Sequence, residues 1–106
     1  MRRGDVYWAR LPRPLGRRPV VVVTRTSALA FLARITVAPV TTTIRGVSSE
    51  VQLGRSAGLP SKSVAGCDSV MTVARDLLDE EPIGTLTRRQ LLALDDALIF
   101  ALGISR

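Results

Sequence analysis

The stretch Pro19-Val20-Val21-Val22-Val23-Thr24 decides the fold class of this chain. Four valines and a threonine in a row favour extended backbone, because side chains branched at Cβ pack well in strands. The run has no alternating polar positions, so it predicts a central strand that is buried on both faces.

Further strand patterns lie on both sides of this run. Residues 5–11 include Val6, Tyr7 and Trp8, and Pro12 ends that segment. Downstream, residues 35–40 and the alternating segment 49–53 predict strands, and residues 64–73 predict one or two more. Residues 27–32 are short enough for a single helical turn, and residues 12–18 and 54–63 are expected to be loops.

The C-terminal part of the chain predicts one well-delimited helix. Thr87 fits an N-cap with Gln90 as its capping-box partner, and Gly103 is a natural stop. Leu86 and Leu91 fit the hydrophobic staple around this start.

The predicted helix carries more apolar residues than one buried face needs. Leu91, Leu94, Leu98 and Leu102 form one stripe, whereas Leu92, Ile99 and Phe100 lie off it, so we expect a second packing partner. Five or more strands before one helix predict a β-rich α+β fold, a small and strongly curved sheet or barrel with a C-terminal helix. With 106 residues, the chain is expected to form a single domain spanning 1–106.

Positive charge is concentrated in the N-terminal part of the chain. The net charge is +6, yet residues 1–45 alone carry nine arginines against Asp5, whereas residues 46–106 carry six basic and eight acidic groups. Such asymmetry predicts a face that binds a polyanion. Fourteen of the fifteen basic residues are arginine, which suits phosphate recognition but also fits a GC-rich coding sequence.

Composition excludes several kinds of chemistry. There is no histidine, so catalytic triads, histidine-ligated metals and histidine-pair ribonuclease sites are ruled out. The single cysteine, Cys67, excludes an internal disulfide and is expected to be a small core residue. No apolar run reaches the roughly 18 residues of a membrane span, and the N-terminus lacks a signal-peptide core, so we expect a cytoplasmic protein without a membrane partner.

Each candidate functional position also has an ordinary structural explanation. Arg17 and Arg18 lie where a basic loop meets the valine strand, and a solvated charged turn is the alternative. Residues 41–43, three threonines after a strand, offer hydroxyls to phosphate or simply form a turn. Trp8 stacks a base or packs in an interface. Asp68 accepts a hydrogen bond from a base or satisfies a backbone group.

Four segments, taken together and in order, carry a family resemblance. They are Arg3-Gly-Asp-Val-Tyr-Trp8, Gly16-Arg-Arg-Pro-Val-Val-Val-Val23, Thr36-Val-Ala-Pro-Val-Thr-Thr-Thr43 and Gly58-Leu-Pro-Ser-Lys-Ser-Val-Ala-Gly-Cys-Asp-Ser-Val-Met-Thr-Val73. Over nearly the whole chain, this order and spacing resemble the MazF/PemK family of toxin endoribonucleases, whose curved fold is shared with CcdB-type toxins. Each motif alone is weak, but all of them in order are specific.

The resemblance implies metal-independent cleavage of single-stranded RNA without a cofactor. The ribose 2′-hydroxyl is then the nucleophile, and the products are a 2′,3′-cyclic phosphate and a 5′-hydroxyl. By position, the family's catalytic arginine falls on Arg18 and its catalytic threonine on Thr41. A fixed guanidinium and a hydroxyl stabilise the charge that builds on the phosphorane oxygens. The expected RNA-binding residues, drawn from the basic face, the threonines and the family's base-contacting positions, are Arg3, Arg13, Arg17, Thr42, Thr43, Asp68 and Ser69.

The sequence departs from the family pattern in its first loop and near Asp68. Gly16 is followed directly by Arg17, so the loop is shorter than in the family and lacks its acidic residue; Ser69 and Met71 also differ from many relatives.

The first hypothesis is a toxin of a type II toxin–antitoxin system that cleaves mRNA, tRNA or rRNA selectively. The alternatives are a non-catalytic CcdB-like toxin and a plain basic nucleic-acid-binding barrel. The resemblance also implies a homodimer and a MazE-like antitoxin, whose acidic tail is expected to compete with RNA for Arg13, Arg17 and Arg18.

Overall fold

The valine run forms β2 (Arg17–Val22) in the computed structural model, which describes residues 1–105. β2 pairs antiparallel with β1 (Asp5–Arg10) on one side and with β3 (Arg34–Thr41) on the other. Val20, Val21 and Val22 are fully buried, which confirms the predicted central strand. The strand begins two residues before Pro19, because Arg17 and Arg18 already pair with β1.

Four more short strands complete a seven-stranded antiparallel sheet within the described residues. They are β4 (Glu50–Leu53), β5 (Ser63–Gly66), β6 (Met71–Ala74) and β7 (Gly84–Thr85). The order is β4-β5-β3-β2-β1-β7, and β6 pairs with the first half of β3 while β5 pairs with its end. One edge of β3 therefore serves two partners, and the sheet curls into a half-barrel.

Short 3₁₀ turns link several of these strands. They lie at Thr26–Ala28, Arg55–Ala57, Cys67–Ser69 and Arg75–Leu77. The first is the helical turn expected within 27–32. The third divides residues 64–73 between two strands, β5 and β6, which is the second of the two alternatives that the sequence predicted.

Helix α1 (Arg88–Leu102) begins and ends where the sequence predicts. Thr87 Oγ1 accepts a hydrogen bond from Gln90 N at 3.1 Å, and Gln90 Oε1 accepts one from Thr87 N at 2.9 Å. Gly103 ends the helix with φ of 68°, a left-handed conformation that suits glycine. In the described part of the chain, no helix has the length and apolar content needed to cross a membrane.

The buried face of α1 differs from the predicted stripe at its last position. Leu94 is fully buried, and Leu91 and Leu98 pack partly against the core, but Leu102 is 60% exposed. The apolar face of the helix continues instead through Ala97 and Ala101. Their small side chains let the last helical turn pack close to the cluster that contains Leu94.

The buried side chains of β2 alternate between two hydrophobic clusters, one on each face of the sheet. Val21 belongs to the cluster between the sheet and α1, together with Val51 and Leu94. Val20 and Val22 belong to a second cluster on the other face. The unbroken valine run is thus explained, since a strand between two cores has no solvated side.

Candidate active-site cleft

A cleft of about 340 Å³ opens where β2 begins and β3 ends. Its walls come from these two strands, from the segment that precedes β4, and from the 3₁₀ turn that follows β5. The lining residues are Leu15, Arg18, Pro39, Thr41, Thr43, Arg45, Val47, Ser49, Glu50, Gly66, Asp68 and Ser69. Several elements that are distant in sequence therefore meet at this one site.

Arg18 and Thr41 lie on neighbouring strands of this cleft. The β2–β3 pairing ends at Val20 and Pro39, and Arg18 and Thr41, each two residues beyond that pair, both line the cleft. Nε of Arg18 donates to the carbonyl oxygen of Leu15 at 3.1 Å, which ties the guanidinium to the preceding loop. Within residues 1–105 its two terminal nitrogens have no hydrogen-bond partner, so they are free to bind an anion.

The hydroxyl of Thr41 is held by its own turn. Its oxygen accepts a hydrogen bond from the backbone N–H of Thr43 at 3.1 Å, and the side chain is half-buried. The hydroxyl proton has no acceptor among the described residues and can be donated to a ligand. Thr41 thus presents a fixed neutral donor beside a fixed cation.

Asp68 stands on the opposite wall with one oxygen already bonded. The hydroxyl of Ser49, which is 2% exposed, donates to Oδ2 of Asp68 at 2.5 Å. The other oxygen has no protein donor in residues 1–105, so it is available as an acceptor, as the base-contacting interpretation requires.

Cys67, the residue before Asp68, takes no part in this surface. The side chain is buried, and burial together with the charge of Asp68 raises the pKa of the thiol to about 11. The thiolate is disfavoured because the core offers it no solvation.

Sequence reasoning did not identify Arg45 and Glu50 as site residues. Both line the cleft, and the Glu50 carboxylate accepts hydrogen bonds from the backbone N–H groups of Arg45, Gly46 and Val47. The only signal in the sequence is a carboxylate that follows an Arg-Gly pair within a polar loop. Nothing local shows that this loop faces Arg18.

Four of the expected RNA-binding residues lie outside the cleft. Arg3 forms an ion pair with Asp95 at 2.7 Å and also donates to the carbonyl oxygen of Val23. Thr42 lines a neighbouring groove beside Trp8, and Arg13 is exposed in the loop after β1.

Arg17 points away from the cleft, because consecutive residues of a strand alternate between faces. Its guanidinium pairs with Asp79 at 3.0 Å and lies 5.2 Å from the centre of the Trp8 ring. This hydrogen-bonded contact raises the pKa of Arg17 and lowers that of Asp79. The structure thus brings Arg18, Thr41, Thr43, Asp68 and Ser69 together and separates Arg17 from them.

The model of one protein family matches residues 2–102, nearly the whole chain, and is described as the PemK-like, MazF-like toxin of type II toxin–antitoxin systems. This chain belongs to the PemK/MazF family. A related Mycobacterium tuberculosis H37Rv protein, the probable endoribonuclease MazF5, is 41% identical over 105 residues, which cover 98% of this chain and 94% of the relative. The endoribonuclease MazF3 of the M. tuberculosis strain CDC 1551 is 40% identical over 81 residues, covering 76% and 78% of the two chains.

Solved structures of the PemK/MazF family share this fold. The M. tuberculosis toxin MazF-mt6 superposes with a TM-score of 0.88 at 34% identity, covering 96% of this chain and 99% of its own. A mycobacterial endoribonuclease solved in complex with its cognate antitoxin superposes with a TM-score of 0.86 at 26% identity, covering 100% and 98%. The expected curved sheet with one C-terminal helix is therefore confirmed.

Proposed function

We propose that this PemK/MazF-family protein is an endoribonuclease that cleaves single-stranded RNA in the Arg18–Thr41 cleft without a metal ion. The observation that carries the proposal is the meeting of a partly unpartnered guanidinium and a free hydroxyl proton on adjacent strands of one open cleft. The names of related proteins as endoribonucleases support the same activity.

The chemistry follows from where charge develops. The ribose 2′-oxygen bonds to phosphorus as the bond to the 5′-oxygen breaks, and negative charge builds on the non-bridging oxygens. Arg18 offers two N–H groups to these oxygens and Thr41 offers one O–H, so both stabilise the transition state more than the substrate. The proton lost by the 2′-hydroxyl is balanced by the one that the departing 5′-oxygen gains.

Residues of the cleft walls are proposed to hold the RNA for in-line attack. Asp68 offers a free carboxylate oxygen to an N–H group of a base, and Ser69 and Thr43 offer hydroxyls. Arg13, Arg17 and Thr42 lie outside the cleft and are proposed to contact RNA that extends beyond it. Arg3 has no contact that brings it to the cleft.

Two protein partners complete the proposal. The first is a cognate antitoxin with an acidic tail, supported by the related mycobacterial structure solved with its antitoxin and by the basic N-terminal part of this chain. The second is another copy of this chain, supported by the exposed apolar end of α1, where Phe100 is 62% and Leu102 60% exposed. We propose that the protein acts in the cytoplasm, as its proposed RNA substrate suggests.

Cleavage of RNA in excess chelator tests this function. We expect purified protein in EDTA to cut a single-stranded RNA and to leave 2′,3′-cyclic phosphate and 5′-hydroxyl ends. The 5′-hydroxyl end is identified by whether kinase labels the product without prior phosphatase treatment. A strict requirement for Mg²⁺, or products with 5′-phosphates, would contradict the mechanism. Tight RNA binding without cleavage would support the non-catalytic alternative.

A further inference from the structure

The segment Arg45–Gly46–Val47 forms one wall of the cleft. It is held to β4 by the carboxylate of Glu50 and by one backbone hydrogen bond, which Glu50 N donates to the carbonyl oxygen of Val47 at 3.0 Å. Oε1 of Glu50 accepts hydrogen bonds from the backbone N–H groups of Gly46 at 2.8 Å, Arg45 at 3.2 Å and Val47 at 3.4 Å. Oε2 accepts a further bond from Arg45 N at 3.2 Å. Three successive amides that converge on one anion form a concave backbone nest, and here the anion belongs to the same chain.

The backbone of this segment is shaped for that nest. Gly46 has φ of +75°, and a Cβ built there meets nothing within 4 Å, so conformation rather than space favours glycine. Glu50 itself is fixed at the start of β4, where it pairs with Gly66 of β5. Glu50 therefore fastens the loop to the sheet twice, through its backbone N–H at Val47 and through its carboxylate, which alone bonds to Arg45 and Gly46.

The consequence of this arrangement is the position of Arg45. Its side chain lines the same cleft as Arg18, and within residues 1–105 its guanidinium forms no ion pair or hydrogen bond. A guanidinium on a loose loop would lose side-chain and backbone entropy on binding RNA, whereas one on a fixed loop has already lost much of the backbone part.

We propose that Glu50 is a positioning residue of the cleft, and that it holds Arg45 where its guanidinium binds an RNA phosphate next to the one bound by Arg18. This inference rests on the proposed function. It assigns the RNA contact to Arg45 and the preorganisation of that contact to Glu50.

Glu50 has two effects on RNA affinity, and they differ in sign. Its negative charge in a phosphate-binding cleft weakens RNA binding, whereas its hydrogen bonds to the loop strengthen it by fixing Arg45. Two variants separate these effects. Glu50→Gln removes the charge and keeps an oxygen acceptor, whereas Glu50→Ala removes both.

The experiment measures the affinity of an RNA made uncleavable by a 2′-deoxy substitution at the scissile nucleotide, over a series of salt concentrations. We expect Glu50→Ala to bind about tenfold more weakly. The magnitude of its negative slope of log K against log salt should decrease by about 0.7, the value for one lost phosphate contact on a single strand. Glu50→Gln is expected to bind as tightly as wild type or more tightly. With cleavable RNA, Glu50→Ala should raise KM and leave kcat nearly unchanged.

A double-mutant cycle ties the two residues together. Arg45→Gln, which keeps the charge of Glu50, should lose at least as much affinity as Glu50→Ala, and the double variant should lose no more than Arg45→Gln. Gln52→Ala, on the exposed side of the same strand and outside the cleft, is the matched control and should bind as wild type. Additive losses, or Glu50→Ala binding as tightly as Glu50→Gln, would overturn the proposal.

Folding and function are controlled separately. If Glu50→Ala does not fold, unchanged RNA affinity and salt slope in Arg45→Gln still overturn the proposal, because that substitution leaves the backbone nest intact. If wild-type protein neither binds nor cleaves RNA, the proposed function fails, and this result differs from a wild-type enzyme in which the cycle is additive.

Discussion

Two adjacent arginines of this protein have unlike surroundings. Arg18 faces the cleft, with its terminal nitrogens free of partners in residues 1–105, whereas Arg17 is paired with Asp79 and lies over Trp8 on the other face. The alternation of a strand separates them although they are neighbours in sequence. Only one of the pair is therefore placed to stabilise the transition state.

This difference predicts a split between kcat and affinity. Arg18→Ala is expected to lower kcat by roughly 10²–10³-fold, the usual effect of removing one transition-state donor. Arg17→Ala should leave kcat unchanged and affect only RNA affinity. Single-turnover cleavage over a series of protein concentrations up to saturation measures both, with circular dichroism to confirm folding. A full rate in Arg18→Ala would show that another group performs the chemistry.

The two threonines Thr41 and Thr42 offer the same kind of comparison. Thr41→Val keeps the shape of the side chain but removes its hydroxyl from the cleft, so kcat should again fall by orders of magnitude. Thr42 lines the neighbouring groove, and Thr42→Val should keep the wild-type kcat. Equal losses in both variants would indicate a general effect on the strand end.

The buried thiol of Cys67 predicts a pH effect on stability. Burial raises its pKa in the folded protein from the ordinary value of 9.0 to about 11. A raised pKa contributes stability that is present below pH 9 and is lost as pH rises towards 11, because the unfolded chain ionises first. The free energy of unfolding should thus fall more steeply over this range than in Cys67→Ala, by up to about 3 kcal/mol.

Urea titrations of the two proteins at several pH values measure this difference. Iodoacetamide provides an independent check, since native Cys67 should react only after unfolding. Rapid alkylation of the folded protein at pH 8 would contradict the buried, neutral thiol.

At the scale of elements, a close backbone contact joins the turn after β4 to β7. A Cβ built on Gly84 lies 2.2 Å from the carbonyl oxygen of Ala57, and one built on Gly58 lies 1.9 Å from that of Ile83. Two chain segments approach here more closely than any side chain permits. The contact anchors β7, which contains only two residues.

Gly84→Ala should therefore destabilise the fold, because backbone cannot give way as a flexible side chain does. We expect a loss of about 3 kcal/mol or more, at the upper end of overpacking effects. Gly54→Ala is the matched control, since a Cβ there meets nothing within 4 Å and its φ is not positive. Thermal unfolding of both variants decides the point, and equal melting temperatures would refute the steric explanation.

Elements with local signals were predictable from the sequence, and contacts between distant segments were not. The valine run and the Thr87–Gln90 capping box carry their causes within a few residues, so β2 and α1 were found close to their true bounds. The wall formed by Arg45 depends on Glu50 and on pairing of β4 with β5, which no local pattern reveals. Arg18 and Thr41 became candidates for one site only through the family resemblance.

The exposed end of α1 predicts an oligomer at the scale of the whole molecule. Phe100, Leu102 and Ile104 are each more than half exposed, which is costly unless another surface covers them. We expect sedimentation at micromolar concentration to give about twice the 11.4 kDa chain mass. Phe100→Asp should shift the protein towards monomer. A wild-type monomer would disprove this expectation.

Charge distribution predicts competition between RNA and antitoxin. If both bind through the arginines of the N-terminal part, as proposed, each should displace the other, and both affinities should fall as salt rises. Titration of the cognate antitoxin into a complex with labelled, uncleavable RNA measures the displacement. A stable ternary complex with undiminished RNA affinity would place inhibition at a separate surface.

The pairing of Asp5 with Thr85 and the packing of Leu94 against the cluster that holds Val51 and Cys67 join the two ends of the chain. During translation, the edge of β1 that does not face β2 stays unpaired until β7 is made, and the turn that carries Asp68 lacks its packing partner until α1 is made. At about 5–20 residues per second, the ribosome needs about one to four seconds to make the residues that follow β7. We therefore expect the cleft wall that carries Asp68 to be fixed only after that interval, so a nascent chain should cleave RNA less well than the finished protein.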